Sequence, residues 1–205
     1  MNRRIAVAGV ALALFALLVA QLLAQGSLVR LDLQLTQFLA AHRMPWVTTL
    51  MLGVSRLHET VVLLTATALI AAALAWRGHR RSALLLGVVP TGMLLNVGLK
   101  HVFQRARPVL EQPLVFLETY SFPSGHAVAS TVFYGALALL ALWHVRRPAG
   151  RGAAVAGAAA MVALVCASRV YLGAHYLGDV LAGVCVGTAW LAAWTAVASP
   201  RREVL

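Results

Sequence analysis

Residues 123–143 read PSGHAVASTVFYGALALLALW, a short polar turn followed by a long run without a charged side chain. A helix needs roughly 20 mainly apolar residues to cross a bilayer core of about 30 Å, and residues 127–143 come close to that length. Similar runs recur along the chain, and the candidate spans are residues 5–23, 60–76, 82–99, 127–143, 152–167 and 180–198. The sequence therefore predicts an all-α fold, a six-helix transmembrane bundle that forms a single domain over residues 1–205.

The composition agrees with an integral membrane protein. Of the 205 residues, 61% are hydrophobic and 11% are charged, whereas a soluble domain has an apolar fraction nearer about one half. Cys166 and Cys185 lie inside apolar runs, which favours small core residues over a disulfide or a metal site. Arg3 and Arg4 precede the first span as in a secretory signal, but the apolar stretch is long and the cleavage site is poor, so we expect a retained helix.

The net charge of +11 would suit a nucleic-acid partner. The arginines, however, are dispersed between apolar segments without a basic stripe or an aromatic-rich RNA motif, so we expect no nucleic acid among the partners. Ten of the 17 basic residues fall on one side of the predicted bundle, in the more concentrated clusters. Because loops rich in Lys and Arg stay in the cytoplasm, the sequence predicts cytoplasmic termini.

The outer segment, residues 28–58, has the pattern of two amphipathic helices. Its apolar residues recur at helical spacing on both sides of a Met-Pro pair, at Leu28, Leu31, Leu35 and Leu39 and then at Trp46, Leu50, Val54 and Leu57. This pattern predicts helices that lie on the membrane surface, and a loop packed on the outer helix ends is the alternative.

Small and polar residues inside the spans make local predictions. Gly183 and Gly187 share one helix face and would permit close contact with a neighbouring helix. In the third span, Pro90 predicts a kink and Asn96 predicts a polar contact close to the functional site.

Three polar clusters end up on the same outer side of this topology. They read KHVFQRARP at residues 100–108, PSGH at 123–126 and SRVYLGAHYLGD at 168–179. Lys100, Arg107 and Arg169 supply cations, and the planar fork of Arg matches phosphate oxygens. Ser124 and the backbone amide of Gly125 stand just ahead of a helix, where free N–H groups and the helix dipole attract anions. The clusters together predict an anion site at the membrane edge.

The third cluster also offers a nucleophile. His175 and Asp179 are four residues apart, so on the first turns of a helix the carboxylate can accept from one ring nitrogen and leave the other free to attack. His126 is then placed to give a proton to a departing oxygen. Five other histidines lack such company, and we expect them to be interfacial or solvated: His42, His58, His79, His101 and His144.

In order along the chain, K-x6-R-P, P-S-G-H and S-R-x5-H-x3-D resemble the full signature of the type 2 phosphatidic acid phosphatase family, which shares its site with vanadium haloperoxidases. The resemblance covers roughly residues 60–198 and matches every motif position. It implies that the phosphoryl oxygens are bound by Lys100, Arg107, Ser124, Gly125 and Arg169. It also implies that His175 forms a phosphohistidine, that Asp179 orients His175 and stabilises its charge, and that His126 protonates the leaving group and then activates water. No metal or other cofactor is implied.

The expected substrate is a lipid phosphate or diphosphate, because the site lies at the bilayer surface and the apolar, aromatic loop 113–122 can dip into the interface. By family analogy we expect undecaprenyl diphosphate, with phosphatidylglycerol phosphate or phosphatidic acid as the alternative and lipid A phosphates third. A transporter would carry its charges along a path through the membrane, and a haloperoxidase would normally be soluble. Membrane lipids are the other expected partners, and the sequence leaves the oligomeric state open.

Overall fold

The computed structural model describes residues 3–198, and all regular secondary structure in that range is helical. The helices are α1 (Arg3–Leu23), α2 (Ser27–Ala41), α3 (Pro45–Leu57), α4 (Thr60–Trp76), α5 (Arg80–Leu85), α6 (Val88–Phe103), α7 (Gly125–His144), α8 (Pro148–Tyr171) and α9 (Leu177–Ala198). The predicted all-α class is confirmed.

The long helices account for the predicted spans. Five helical segments in the described part of the chain are long and apolar enough to cross a membrane, namely Arg3–Leu23, Arg80–Phe103, Gly125–His144, Pro148–Tyr171 and Leu177–Ala196. The helices α3 and α4 pass the same test together, as a pair bent by 50°, and the number rises to six if this bent pair counts as one span. Every predicted span falls inside one of the observed helical segments.

The outer segment forms two helices, α2 and α3, as its periodicity predicts. They do more than lie on a surface, because they pack against α8 and α9 and each buries polar side chains. Asp32 on α2 is only 1% exposed, and Ser55 on α3 is also buried. The alternative of an irregular loop is wrong, although the packing onto the helix ends that it assumed is present.

Close packing of α7 on α9 brings two of the motifs together. A Cβ atom added to Gly183 would lie 2.7 Å from Cβ of Ala127, and one added to Gly187 would lie 2.8 Å from Cβ of Thr131. The predicted close helix contact at these glycines is therefore present. At the N-terminal ends of these two helices, the backbone N–H of Ser124 donates to the carbonyl of Asp179 at 3.0 Å.

The third span is interrupted one turn before the expected position. The break falls at Leu86 and Gly87, between α5 and α6, and Pro90 is the third residue of α6. Proline has no N–H to donate to the carbonyl four residues earlier, so the first turn of a helix is where it is best tolerated. Further along α6, Nδ2 of Asn96 donates to the carbonyl of Pro123 at 3.1 Å, which is the predicted polar contact.

Candidate active site

The three motifs meet at a cavity of about 500 Å³ near the N-terminal ends of α7 and α9. Six of the eight predicted site residues line it: Lys100, Arg107, Gly125, His126, Arg169 and His175. The other two, Ser124 and Asp179, are completely buried next to it. The structure thus brings together residues that are up to 79 positions apart in the sequence, Lys100 and Asp179 being the extremes.

His175 presents one defined nitrogen to the cavity. Its Nε2 lies 3.2 Å from Nη1 of Arg107, and since a guanidinium only donates hydrogen bonds, Nε2 must be the unprotonated acceptor. The ring hydrogen is therefore on Nδ1, which faces Oδ2 of Asp179 at 3.4 Å. Burial lowers the pKa of His175 to about 4, against the opposing effect of Asp179. A neutral imidazole with a free lone pair at Nε2 results.

The local geometry of this pair differs from the expected one. His175 does not lie on a helical turn, because α9 begins only at Leu177. The contact arises because Asp179 occupies the third position of α9 and its Oδ2 accepts the N–H of Tyr176 at 2.9 Å, as in a capping box. The residues before α9 fold back over the Asp179 carboxylate, and this fold places the His175 imidazole next to it.

Asp179 has further hydrogen-bond donors that the motifs do not contain. The hydroxyl of Ser121 donates to Oδ2, and Nη1 of Arg105 donates to Oδ1 at 2.6 Å. Tyr176 N–H is a third donor, and His175 Nδ1 lies 3.4 Å from Oδ2, so the orientation of Asp179 is fixed from several directions.

Asp32 and Arg105 are the residues that the sequence analysis missed. Nη2 of Arg105 lies 2.8 Å from Oδ2 of Asp32, while Oδ1 of Asp32 accepts the backbone N–H of Gly178 at 2.8 Å. Burial raises the pKa of Asp32, and Arg105 and the Gly178 N–H oppose that shift. Burial also lowers the pKa of Arg105, but Asp179 and Asp32 outweigh it and leave that pKa raised. In the sequence, the signals were that Asp32 is the one acidic residue between positions 28 and 58 and that Arg105 lies within the KHVFQRARP cluster.

Loop carbonyls orient the cations of the first motif. Lys100 Nζ donates to the carbonyl of Tyr120, and Nε of Arg107 donates to the carbonyl of Thr119 at 2.6 Å. Burial lowers the pKa of Arg107, with Asp179 acting in the opposite direction. The third cation, Arg169, is buried and donates from Nη1 to the hydroxyl of Ser55 on α3.

The PSGH turn starts α7 in the predicted way. Ser124 is the N-cap residue, and its hydroxyl lies 3.5 Å from the N–H of Ala127. Gly125 and His126 take the first two helical positions, whose N–H groups have no acceptor within a helix. A Cβ atom on Gly125 would approach Oδ1 of Asn96 to 3.1 Å, so glycine keeps this edge of the cavity open.

Two histidines face the cavity beside His175. Nε2 of His126 is buried and has no hydrogen-bond partner among the described residues. His58 is 5% exposed, with Nδ1 2.7 Å from the carbonyl of Val54 and Nε2 2.6 Å from the hydroxyl of Tyr134. The prediction that His58 is interfacial or solvated is wrong, because the ring is buried and both of its nitrogens have protein partners, one of them on α7. The remaining four are exposed, as predicted: His42, His79, His101 and His144.

Metal ligands are not grouped in the described range. Between residues 3 and 198, no set of three or more His, Cys, Asp and Glu side chains is placed to hold a metal ion. Cys166 and Cys185 are unpaired and partly buried in α8 and α9. The charge at the cavity comes from Lys and Arg side chains.

Fold and site together define a class, a helical integral membrane protein with a cationic, histidine-containing cavity at one end. The PAP2 superfamily model matches residues 81–203. Phosphatidylglycerophosphatase B of Bacillus subtilis (strain 168) is 33% identical over 180 residues, which cover 87% of this chain and 88% of that protein. The chain belongs to the PAP2 superfamily.

Two crystal structures are similar in fold. That of a transmembrane PAP2-type phosphatidylglycerolphosphate phosphatase from Bacillus subtilis has a TM-score of 0.87 and 27% identity, covering 97% of this chain and 99% of that one. That of Aquifex aeolicus LpxE has a TM-score of 0.63 and 22% identity, covering 81% and 95%, and it supports the fold alone. This chain is therefore a membrane lipid phosphatase, a hydrolase of phosphoric esters, and the transporter alternative is wrong.

Proposed function

We propose that this enzyme removes the terminal phosphate of phosphatidylglycerophosphate, with phosphatidic acid as a related substrate. The names of the Bacillus subtilis relatives favour this substrate over undecaprenyl diphosphate, which family analogy had put first. The observation that carries the chemistry is the unprotonated Nε2 of His175, held 3.2 Å from the Arg107 guanidinium at the wall of a cationic cavity.

The first step of the proposed reaction transfers the phosphoryl group to His175. Lys100, Arg107, Arg169 and the Gly125 N–H bind its non-bridging oxygens, and Ser124 caps the helix that presents this N–H. The Nε2 lone pair attacks phosphorus while the ester P–O bond breaks. His126 gives its proton to the departing glycerol oxygen. Asp179 faces Nδ1–H and stabilises the positive charge that the imidazole gains.

The second step releases inorganic phosphate. Deprotonated by the first step, His126 now accepts a proton from water, whose oxygen attacks the phosphohistidine. The P–N bond breaks and its electron pair returns to Nε2 of His175. The enzyme is then back in its starting state, with the lone pair on Nε2 of His175 and the proton on His126.

Access from the bilayer supports a lipid substrate. Besides the polar residues, side chains of α4 and α6 line the cavity, among them Leu64, Met93, Leu94 and Val97. Leu94 and Val97 are also exposed on the outside of the bundle. Their apolar wall runs from the catalytic groups toward the lipid and suits acyl chains.

A substrate panel tests the proposal. Phosphate release by the purified enzyme in detergent micelles would be compared for phosphatidylglycerophosphate, phosphatidic acid and undecaprenyl diphosphate, with EDTA present throughout. We expect the highest kcat/KM for phosphatidylglycerophosphate and no turnover by the His175→Ala control. A higher kcat/KM for undecaprenyl diphosphate would overturn the proposed substrate, and an active His175→Ala variant would overturn the mechanism.

We further propose cytoplasmic termini and an outward-facing site in a bacterial inner membrane. Nη1 of Arg4 donates to the carbonyl of Thr195 at 2.9 Å, so the start of α1 and the end of α9 lie at the same end of the bundle. Asp179 lies about 24 Å away along α9, at the rise of a regular helix. A reporter fused to the C-terminus should signal from the cytoplasm, and a periplasmic signal would reverse this orientation.

A further inference from the structure

We infer that Asp32 and Arg105 are positioning residues for the reaction, Arg105 by holding Asp179 and Asp32 by cancelling the charge of Arg105. This inference rests on the proposed roles of His175 and Asp179. Neither residue is a fixed position of the three motifs, and Asp32 also lies outside residues 81–203, the range that the family model matches.

The contacts form one continuous chain from α2 to the nucleophile. Arg105 reaches Asp32 with Nη2 at 2.8 Å and Asp179 with Nη1 at 2.6 Å, and Asp179 in turn faces Nδ1 of His175 at 3.4 Å. The guanidinium also lies 4.2 Å above the centre of the Tyr176 ring. A planar fork between two carboxylates has little freedom, so its position determines that of Asp179.

The charges of this chain explain why a second carboxylate is needed. Arg105 alone would neutralise Asp179, and the pair would then offer little stabilisation to a positive imidazole. With Asp32 included, the three side chains carry a net charge of about −1 at neutral pH. The transfer of a phosphoryl group to His175 makes the ring an imidazolium, which this net negative charge favours.

Other charged groups near His175 are positive and so do not stabilise an imidazolium. Arg107 and Arg169 act on it as cations, and His126 is the neighbouring imidazole. Asp179 is the carboxylate that faces the ring, so the net charge behind Asp179 sets how well the imidazolium is stabilised.

Asp32 also fixes the helix that carries Asp179. Its Oδ1 accepts the N–H of Gly178, the second residue of α9, where a carboxylate interacts favourably with the helix dipole. A Cβ atom on Gly178 would approach Oδ2 of Asp32 to 3.0 Å, so glycine permits the short contact. Through the single side chain of Asp32, α2 therefore both holds the start of α9 and balances the charge of Arg105.

The decisive experiment measures steady-state kinetics and the pH profile of four proteins: the wild type, Asp32→Asn, Arg105→Gln and the double variant. In Asp32→Asn the charge of Arg105 is balanced by Asp179 alone, which brings the net charge of the group to about zero. kcat should therefore fall by about tenfold or more, as when outer partners of a site histidine are removed. KM should stay constant or fall, because the site becomes more positive toward an anionic substrate. Gln34→Ala, on the exposed face of α2, is the matched control and should resemble the wild type.

The double variant separates charge from packing. It restores the net charge of about −1 on Asp179, so its kcat should exceed that of Asp32→Asn, although two contacts are lost. The acid limb of kcat should move to lower pH in Asp32→Asn and to higher pH in Arg105→Gln, because protonation of His175 follows the same net charge. A loss of packing alone would scale the rate equally at every pH.

Each outcome has a distinct meaning. Wild-type kcat and an unshifted profile in Asp32→Asn would overturn the inference, as would a double variant no faster than Asp32→Asn. If Asp32→Asn does not fold, Arg105→Lys decides, since it keeps the charge but lacks the fork. It should lower kcat without moving the acid limb, and a wild-type kcat would overturn the positioning role. Inactivity of the wild type, or activity of His175→Ala, would instead contradict the proposed function.

Discussion

The proposed nucleophile illustrates how burial sets the chemistry of a single residue. His175 is 2% exposed, and removal from water disfavours its charged form more strongly than Asp179 favours it. The lone pair is therefore available at neutral pH without a separate base. Because burial lowers the pKa of His175, this side chain should influence how both activity and folding stability depend on pH.

The first prediction concerns pH and a substrate whose leaving group needs no proton, a p-nitrophenyl phosphate that carries an alkyl chain on its ring. Because the pKa of His175 is lowered to about 4, kcat/KM for this ester should remain flat from pH 7 to pH 5 and fall only toward pH 4. Initial rates across this range, each after a check that the enzyme is still folded, provide the measurement. A loss of activity centred near the ordinary histidine value of about 6.5 would contradict a buried, neutral nucleophile.

Folding stability should change over the same interval. The unfolded chain binds a proton on His175 below about pH 6.5, whereas the folded protein does not until near pH 4. The unfolded state thus binds more protons in this window, and the contribution of His175 to stability falls as the pH is lowered through it.

At the scale of elements, the α7–α9 contact supports the site. Gly183 lies against Ala127 and the carbonyl of Ser124, each 2.7 Å from where its Cβ atom would be. Gly157 on α8 has no atom within 4 Å of that position. An alanine side chain would therefore clash with α7 at position 183 and meet no atom at position 157.

The second prediction compares Gly183→Ala with Gly157→Ala. Gly183→Ala forces α9 away from α7 and should cost about 1–3 kcal/mol. It should also lower kcat, since Asp179 and the PSGH turn lose their register. Gly157→Ala should keep full activity and gain slightly in stability from the better helix propensity of alanine. Thermal unfolding in detergent and phosphate release are the measurements, and equal behaviour of the two variants would contradict the close contact.

The sequence predicts those elements whose cause is local. A run of apolar residues is sufficient for a span, and a turn before such a run is sufficient to place Ser124 and Gly125 at the start of α7. The burial of Asp32 has no local cause, because it depends on Arg105, which is 73 residues away. His58 is similar, since only the fold brings Tyr134 to it. Ion pairs and hydrogen bonds between distant segments are therefore the features of this site that the sequence pattern does not predict.

On the scale of the whole molecule, the cavity connects the proposed catalytic groups with the lipid-facing surface. Leu94 on α6 lines it and is also exposed, whereas Leu69 on α4 is exposed without lining it. These two leucines separate an effect on substrate entry from a general effect of a larger side chain on the membrane surface.

The third prediction is that Leu94→Trp lowers kcat/KM for a long-chain lipid phosphate by roughly tenfold, since the indole fills part of the space for an acyl chain. A short, water-soluble phosphate ester needs no such space and should be hydrolysed at the wild-type rate. Leu69→Trp serves as the control and should leave both substrates unaffected. If Leu94→Trp slows both substrates equally, the space between α4 and α6 does not serve the acyl chains.

The position of the site at one end of the bundle has a consequence for the membrane itself. With its proposed phosphate-binding site about 24 Å from the opposite end of the bundle, the enzyme should reach headgroups in one leaflet only. A phosphorylated headgroup does not cross the hydrocarbon core readily, because a charge there is costly. In sealed vesicles with uniformly oriented enzyme, substrate in the far leaflet should remain intact until something moves it across. The rate of lipid flipping then limits hydrolysis of this substrate. Product appears in the leaflet that the site faces, and substrate remains in the other leaflet.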